Sequence, residues 1–315
     1  MSVKDEEIDL VYLWVDGNDP KWRARHDAAV GTTKESSATN CDGRYADNEE
    51  LKYSLRAVEK YAPWIRMIYI VTDSQIPKWL DTSNSKVRIV DHREILPESV
   101  LPTFNSRTIE HALYRIPGLS ERFLYANDDT FFNREVSPSD FFTEEGWPVI
   151  RFNRRPLRKL TLWFKENIMG RKISNYNMAV QNSARLVQAR FGRYIGHKTH
   201  HNIDAYNKSQ YRHAFETFKD VIEPTLAHKE RSADDYNRNL YSYLPVVEKK
   251  CRVRFVTRDE SFRLHIHIPH HYDELERKKP LLFCLNDSEY AGAEDRRKVK
   301  EYLERRFPEK SGFEK

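Results

Sequence analysis

Two adjacent carboxylates follow an apolar run in the stretch RFLYANDDTFF. The apolar run covers residues 123–126, Asn127 follows it, and the two carboxylates are Asp128 and Asp129. Neighbouring carboxylates repel one another unless a cation offsets their charge. Hard divalent ions prefer oxygen ligands and leave coordination positions open to phosphates. The cluster therefore predicts a Mg²⁺ or Mn²⁺ site. The alternative is that these residues only form the next turn, as Asp and Asn often do.

Two further motifs that contain an aspartate follow apolar runs. Asp16-Gly17 closes the run IDLVYLWV (8–15), and Asn286-Asp287 closes the run in KPLLFCLNDSEY (279–290). Asp73 ends a similar run at 65–73. Carboxylates in the same position after several apolar runs strengthen the metal interpretation, provided that the runs end at one place in the fold.

Histidines and basic residues could supply the remaining chemistry. His200 and His201 lie in GHKTHHNIDAYNK (196–208) and are candidates for a general base, because a hydroxyl nucleophile needs its proton removed near neutral pH. Lys229 and Arg231 in AHKERSADD (227–235) suit a phosphate, which a guanidinium binds through two parallel hydrogen bonds. The alternatives are a solvated polar loop and ordinary ion pairs.

The elements that must position these residues follow an α/β rhythm. Continuous apolar runs predict buried strands, and helical spacing with acidic first turns predicts helices. In a doubly wound sheet, ligands bind beyond the carboxyl ends of the strands, which is where the acidic residues fall. The polar segment 19–45 is predicted as a loop. The predicted strands are 8–15, 65–73, 86–92 and 122–128, and the predicted helices are 48–64 and 106–119.

The second half of the chain differs in character. Residues 151–172 hold eight basic residues and one acid, interleaved with Trp163, Phe164 and three leucines. This pattern is typical of a surface helix on anionic lipid or on a polyanion. The alternative is a helix with a buried apolar face and a solvated basic face. We divide the chain into an α/β part at 1–150, a mainly helical basic insertion at 151–244, and a part at 245–315 that returns to the core.

The composition bounds the class of protein. The chain has 315 residues, 39% hydrophobic and 32% charged, with a net charge of +5, which suits an anionic partner without indicating nucleic acid. The three cysteines, Cys41, Cys251 and Cys284, show no metal-binding spacing and predict reduced thiols. The charged N-terminus and the lack of an apolar run long enough to span a bilayer predict a cytoplasmic protein, soluble or peripheral. Without a glycine-rich phosphate loop or a G-x-S-x-G elbow, ATPase, NAD-dependent and serine-hydrolase functions lose their main support.

Several segments together resemble the Stealth family. Residues 8–19, 44–80 and 101–132 resemble its first two conserved regions, 200–235 its third, and 279–314 its fourth. The resemblance implies a GT-A-like α/β fold and dependence on a divalent cation. It also implies transfer of a sugar-1-phosphate from a UDP-sugar to a hydroxyl of a glycan acceptor, with release of UMP, in capsule or exopolysaccharide synthesis.

The resemblance also implies roles for individual residues. The third region reads THHNIDAY where the family more often has His and Pro, so it does not decide which of His200 and His201 holds the catalytic place. The catalytic residues implied are Asp16, His200, His201 and Arg231, and the metal ligands implied are Asp128, Asp129 and Asp287. The substrate-binding residues implied are Gly17, Arg44, Asn48, Glu49, Asn127, Lys229 and Asn286.

Two rival functions stay open at this point. A glycosyltransferase would use the same donor and metal but attack the anomeric carbon and release UDP. A non-catalytic protein that binds a polyanion or a membrane would be built around residues 151–172, with binding that weakens in salt. Under the enzyme interpretation, the same basic segment would either dock the protein at the inner face of the cell membrane or hold an already phosphorylated acceptor chain.

Overall fold

The computed structural model describes residues 7–31, 48–288 and 290–315, and Arg44 therefore lies outside the described residues. The described chain contains eleven strands: β1 Ile8–Leu13, β2 Ile68–Thr72, β3 Val87–Asp91, β4 Arg122–Asn127, β5 Thr130–Phe132, β6 Val149–Asn153, β7 Lys198–Thr199, β8 Asp204–Asn207, β9 Arg252–Phe255, β10 Ser261–His265 and β11 Leu282–Asn286.

The helices alternate with these strands. Short 3₁₀ turns cover Glu98–Val100, Leu113–Arg115, Pro138–Asp140 and Glu223–Ala227. The α-helices of the described residues are α1 Pro20–Val30, α2 Glu50–Tyr61, α3 His92–Ile95, α4 Ser106–Glu110, α5 Arg158–Asn167, α6 Asn175–Phe191, α7 Lys208–Thr217, α8 Lys219–Ile222, α9 Asn239–Val247, α10 Pro269–Lys278 and α11 Ala293–Arg306. None of them is both long and apolar enough to span a membrane.

The main sheet has five strands in the order β3-β2-β1-β4-β8. The first four are parallel, and β8 closes the β4 edge in the antiparallel direction. The chain leaves β1 towards β2 and β3, and then returns to the other side of β1 with β4. This reversal of strand order opens a crevice between the carboxyl ends of β1 and β4, which is where open α/β sheets bind ligands.

The apolar runs are continuous because both faces of this sheet are covered. Val11, Val71 and Phe123 belong to the core on one face, and Leu10 and Leu124 belong to the core on the other. Successive side chains of a strand point to opposite faces, so a strand buried on both sides has no polar position to alternate with. The α/β class and the mixed sheet that the sequence predicts are confirmed.

Two smaller sheets extend the molecule. In one of them, β11 pairs with β10 in the parallel direction and with β5 in the antiparallel direction, with Cys284 opposite Thr130. The segment at the C-terminal end thus lies against the strand that directly follows the acidic cluster. In the other, β6 lies between β7 and β9.

Two predicted elements were wrong in extent or type. The segment 106–119 is not one helix, because α4 ends at Glu110 and only the 3₁₀ turn Leu113–Arg115 follows. The start of the predicted loop 19–45 is instead helix α1, where Asp19 caps the first turn and Pro20 takes the first helical position. Helix α1 buries only Trp22, so it lacks the apolar periodicity by which helices are recognised.

Candidate active site

A cleft of about 930 Å³ lies at the point where the strand order reverses. Its walls come from the ends of β1 and β4, from the end of β11, and from the segment between α5 and α6. Seven of the predicted site residues line it, and they come from four separate stretches of the chain: Asn127, Asp128, Asp129, His201, Arg231, Asn286 and Asp287.

The acidic cluster is a tight turn between β4 and β5. The Thr130 hydroxyl donates to the Asn127 carbonyl (2.7 Å), and the Asp129 N–H donates to Asp128 Oδ1 (3.1 Å). The Asn127 side chain is oriented by Tyr125, whose hydroxyl donates to its Oδ1 (2.9 Å). Asp and Asn do form a turn here, as the alternative predicts, but the same turn also presents their side chains to the cleft.

Strand β11 brings the second acidic motif to the first. The Leu285 N–H donates to the Asp129 carbonyl (2.9 Å), which continues the β5–β11 pairing as far as the cluster. Asn286 and Asp287 follow directly and line the same cleft. The guanidinium of Arg296 holds both carboxylate oxygens of Asp287, at 2.7 and 3.2 Å.

The donor set at this end of the cleft suits a hard cation. Asp129 Oδ1 is buried and has no hydrogen-bond partner among the described residues, whereas a buried carboxylate oxygen normally has one. Asp128, Asp129 and Asp287 offer only oxygen, the donor that Mg²⁺ and Mn²⁺ prefer. Within the described ranges, however, no three His, Cys, Asp or Glu side chains come close enough to form a metal site by themselves. An ion would thus require further oxygen ligands from a substrate or from water.

Arg231 lines the same cleft as the acidic cluster. Its guanidinium donates to the Ser106 hydroxyl (2.6 Å from Nη2 and 3.2 Å from Nε), and it has no carboxylate partner among the described residues. Its planar fork is therefore open to an anion in the cleft. Lys172, exposed on the rim, also has no ion-pair partner in the described part of the chain.

A buried aspartate holds the loop that carries Arg231. Asp235 is 2% exposed and accepts hydrogen bonds from Asn105 Nδ2 (3.0 Å), Arg107 Nη1 (2.9 Å) and the Ser232 N–H (2.9 Å). The ring of His228 contacts its other oxygen at 2.7 Å. The loop 228–235 is thus fixed to the start of α4 by one carboxylate, which positions Arg231 beside Ser106.

The two adjacent histidines take different places. His201 lines the cleft with its Nε2 3.8 Å from Asp129 Oδ2, and about a third of its side chain is exposed. His200 is 1% exposed, and its ring contacts the Ser261 hydroxyl (2.9 Å) and Asp204 (3.1 Å). Burial lowers the pKa of His200. Of the two, only His201 is among the residues that line the cleft.

Asp16 and Gly17 lie on the turn between β1 and α1, outside the lining of the cleft. Gln75, in the segment after β2, fixes this turn. Its side chain accepts from the Asp16 N–H (3.1 Å) and donates to the Asp16 carbonyl (2.9 Å) and to Asp19 Oδ2 (3.1 Å). These bonds leave Asp16 close to the end of β1.

The remaining predicted substrate contacts are occupied within the protein. Asn48 donates to the Glu50 carboxylate from its N–H (2.8 Å) and from its side chain (2.7 Å). Glu49 pairs with Lys300 at 2.9 Å. The Lys229 ammonium donates to the carbonyls of Val100 (3.1 Å) and Leu101 (3.2 Å). None of these three predicted side chains lines the cleft.

Several cleft residues escaped the sequence-based prediction. Glu110 and Arg238 form a buried charged pair at the cleft wall, where Arg238 also pairs with Asp204. At the ends of β2 and β3, His92 lies beside Asp73, and burial lowers the pKa of His92 to about 4. Asp73 was visible as a strand-end carboxylate. Glu110, Arg238 and His92 lie in helical or loop segments, where the local sequence pattern does not indicate that a residue lines a cleft.

The family follows from comparison with known proteins. Residues 44–150 match the family model of Stealth protein CR2, conserved region 2, and residues 6–34 match Stealth protein CR1, conserved region 1. Fold and cleft define an α/β protein with a polar cleft where the strand order reverses, and the chain belongs to the Stealth family, as the sequence predicts.

Curated relatives align along nearly all of the chain. The exopolysaccharide phosphotransferase cps2G of Lactiplantibacillus plantarum is 32% identical over 330 residues, which cover 98% of this chain and 96% of cps2G. The receptor polysaccharide phosphotransferase WefC of Streptococcus gordonii is 33% identical over 332 residues, which cover 98% of this chain and 99% of WefC. Both relatives are named as polysaccharide phosphotransferases.

Solved structures show only a distant likeness. The crystal structure of the galactosyltransferase LgtC in complex with donor and acceptor sugar analogs aligns with 94% of this chain and 96% of its own. The identity is 13% and the TM-score is 0.42, a likeness too weak to support a conclusion about fold or reaction.

Proposed function

We propose that the protein is a sugar-1-phosphate transferase of capsule or exopolysaccharide synthesis. It moves a hexose-1-phosphate from a UDP-sugar to a hydroxyl of a glycan acceptor, forms a phosphodiester and releases UMP. The observation that carries the proposal is the cleft, which is lined both by carboxylates of two distant motifs and by a guanidinium without a carboxylate partner among the described residues. Membership of a family whose curated members are named phosphotransferases supports the same class of reaction.

In this proposal, Asp128, Asp129 and Asp287 hold a Mg²⁺ or Mn²⁺ ion. When bound, the ion would offset the charge of the donor diphosphate and of the carboxylates themselves. The buried Oδ1 of Asp129, which no donor of the described residues reaches, supports this assignment. Asn127 and Asn286 flank the carboxylates and would donate their amide N–H groups to the donor.

Arg231 would bind the phosphoryl group that is transferred. Negative charge develops on its equatorial oxygens during in-line displacement, and a guanidinium stabilises that charge through paired hydrogen bonds. Ser106 and the loop anchored by Asp235 hold the fork in place before substrate arrives. Preorganised donors of this kind need no reorganisation at the moment of reaction.

The proton of the attacking hydroxyl would pass to His201, to Asp16 or to His200. Position favours His201, because among these three residues it alone lines the cleft, close to Asp129. Gly17, Arg44, Asn48, Glu49 and Lys229 stay proposed substrate contacts. We place the activity in the cytoplasm, at the inner face of the cell membrane.

The identity of the released nucleotide tests this function. The protein is incubated with Mg²⁺, a panel of UDP-sugars and a capsule-fragment acceptor, and UMP and UDP are separated by chromatography. We expect UMP, with phosphorus incorporated into the acceptor. Release of UDP would mean that the glycosidic bond is broken and that the protein is a glycosyltransferase.

Replacement of Asp128 connects the acidic cluster to the chemistry. We expect Asp128→Asn to reduce UMP formation by at least about a hundredfold, because one metal-binding charge is lost from the site. The matched control is Asp273→Asn, which removes an exposed carboxylate on α10. Equal activity of the two variants would contradict the metal assignment.

A further inference from the structure

Helix α5 turns its apolar side chains outward. Leu160 is 59% exposed, Trp163 53% and Phe164 48%, and the flanking Leu157 and Ile168 are exposed as well. At about 100° per residue, these five side chains share an arc of about 140° of the helix circumference. Scattered exposed apolar residues are ordinary, but a contiguous apolar stripe on one helix marks a surface that binds something.

The opposite side of α5 attaches it to the protein. Arg158 and Leu162 are its only buried residues, and they lie across the helix from the apolar arc. The Arg158 guanidinium donates to the Asn177 carbonyl on α6 (3.1 Å). The outward orientation is therefore fixed by contacts on the inner side.

The charge around the arc favours an anionic surface. Of the eight basic residues in 151–172, Arg151 and Arg158 are buried, whereas the other six and the one acidic residue are exposed. Lys165 and Arg171 have no ion-pair partner in the described ranges. A basic helix with Leu, Ile, Phe and Trp on one side is typical of helices that lie in the interfacial layer of an anionic membrane. The aliphatic side chains decide against a polyanionic glycan, which offers no apolar region in which to bury Leu157, Leu160 and Ile168.

The helix leads directly into the cleft. It is capped at Ile168, and after residues 169–171 the chain forms the cleft wall with Lys172, Ile173 and Tyr176. A surface that binds α5 would therefore lie close to the rim of the cleft.

We propose that α5 docks the protein onto a membrane that contains anionic lipid. Leu160, Trp163 and Phe164 insert below the lipid headgroups, and the exposed basic residues lie among the headgroups. An acceptor anchored in the same membrane then reaches the cleft from its rim, a consequence that rests on the proposed transfer to a glycan hydroxyl. Docking itself is independent of the reaction.

Vesicle flotation tests the docking without any substrate. The full-length protein is mixed with vesicles of phosphatidylcholine alone or of phosphatidylcholine with 30 mol% phosphatidylglycerol, at low and high salt. We expect flotation with the anionic vesicles and partial release in high salt. Leu160→Ser/Trp163→Ser/Phe164→Ser should lower the partition coefficient on the order of tenfold or more. The matched control Ile76→Ser/Val221→Ser, which removes exposed apolar side chains elsewhere, should float like the wild type.

A charge variant separates the two contributions. Lys165→Glu/Arg171→Glu should weaken binding to the anionic vesicles and remove most of its salt dependence, whereas the control Lys298→Glu/Lys310→Glu on the α11 side should not. All these side chains are exposed, so circular dichroism of the variants should match that of the wild type.

Three results would overturn the proposal. The first is equal flotation of the wild type and the triple α5 variant. The second is a wild type that is dimeric in sedimentation equilibrium and does not bind vesicles, together with a triple variant that is monomeric. The arc would then be an interface between two copies of the chain. The third is binding to dextran sulfate but not to vesicles. Release of UMP with a soluble acceptor is measured separately, so a failure of docking and a failure of the transferase activity are distinguishable.

Discussion

At Arg231, a guanidinium in a polar cleft is held by a hydroxyl rather than by a carboxylate. This arrangement differs from the other cleft arginines, because Arg107 pairs with Asp235 and Arg238 pairs with Asp204. An arginine already paired with a carboxylate has part of its charge offset, whereas Arg231 keeps its full attraction for a substrate anion. Among the three arginines that line the cleft, therefore, the partner of the guanidinium distinguishes the proposed binding group from the two structural ones.

We expect Arg231→Lys to lower kcat/KM for the UDP-sugar by about 10- to 100-fold, or about 1.4–2.7 kcal/mol. Lysine keeps the charge but loses the two parallel hydrogen bonds. The free energy of unfolding should fall by no more than about 1 kcal/mol, because no ion pair is broken and only the hydrogen bonds to Ser106 change. Steady-state kinetics and urea denaturation check both values, with Arg190→Lys on the exposed side of α6 as the control. An unchanged kcat/KM would exclude Arg231 from the transfer step.

At the scale of elements, β11 connects two acidic motifs that are distant in the sequence. The ring of Phe283 stacks on Phe131 of β5, with centroids 4.6 Å apart and planes 9° apart. Both rings are fully buried. This contact and the bond from Leu285 to Asp129 hold the strand in register, so the packing of apolar rings determines where Asn286 and Asp287 reach the cleft.

Phe283→Leu is therefore expected to affect both stability and activity. The smaller side chain and the lost ring stacking should lower the free energy of unfolding by about 1–2 kcal/mol. The proposed UMP release should fall as well, because β11 carries Asp287. Phe191→Leu, at a side chain that is 40% exposed, is the control and should change neither quantity appreciably. A variant with reduced stability and unchanged kcat would show that the position of β11 does not limit the reaction.

At the scale of the whole molecule, folding buries histidines whose side chains have a pKa of about 6.5 in the unfolded, hydrated chain. Burial lowers the pKa of His92 and of His111 to about 4, and it lowers that of His200 as well. In each case the folded pKa lies below the unfolded one. The unfolded chain therefore binds more protons as the pH falls, and stability is present above about pH 6.5 and declines from there towards about pH 4.

We expect His111→Gln to reduce this pH dependence. Between pH 7.5 and pH 5, the wild type should lose about 2 kcal/mol more of its unfolding free energy than the variant does, which is the contribution of one buried histidine. Glutamine can keep the contact with the Tyr241 hydroxyl, which lies 2.6 Å from His111 Nδ1. Urea denaturation at both pH values measures the difference, and the exposed His270→Gln should follow the wild type. Parallel pH profiles of the wild type and His111→Gln would contradict the assignment.

The sequence by itself determined the four parallel strands of the main sheet and the position of the acidic cluster, but not the antiparallel edge strand β8. Buried parallel strands are local apolar runs, and their carboxyl ends are marked by Asp16, Asp73 and Asn127-Asp128-Asp129. Helix α1 was missed because it buries one residue only, and the predicted helix at 106–119 was too long because helical spacing does not show where the chain leaves the helix.

Only the tertiary structure decided which of the marked residues meet. That Leu285 bonds to Asp129, that Asp235 anchors the loop of Arg231, and that His201 rather than His200 lines the cleft all depend on the register between segments far apart in the chain. It also decided that α5 turns its apolar arc away from the protein. The physical reason is that apolar periodicity indicates only that one face of an element is apolar. Which other element packs against that face depends on the packing of the whole fold.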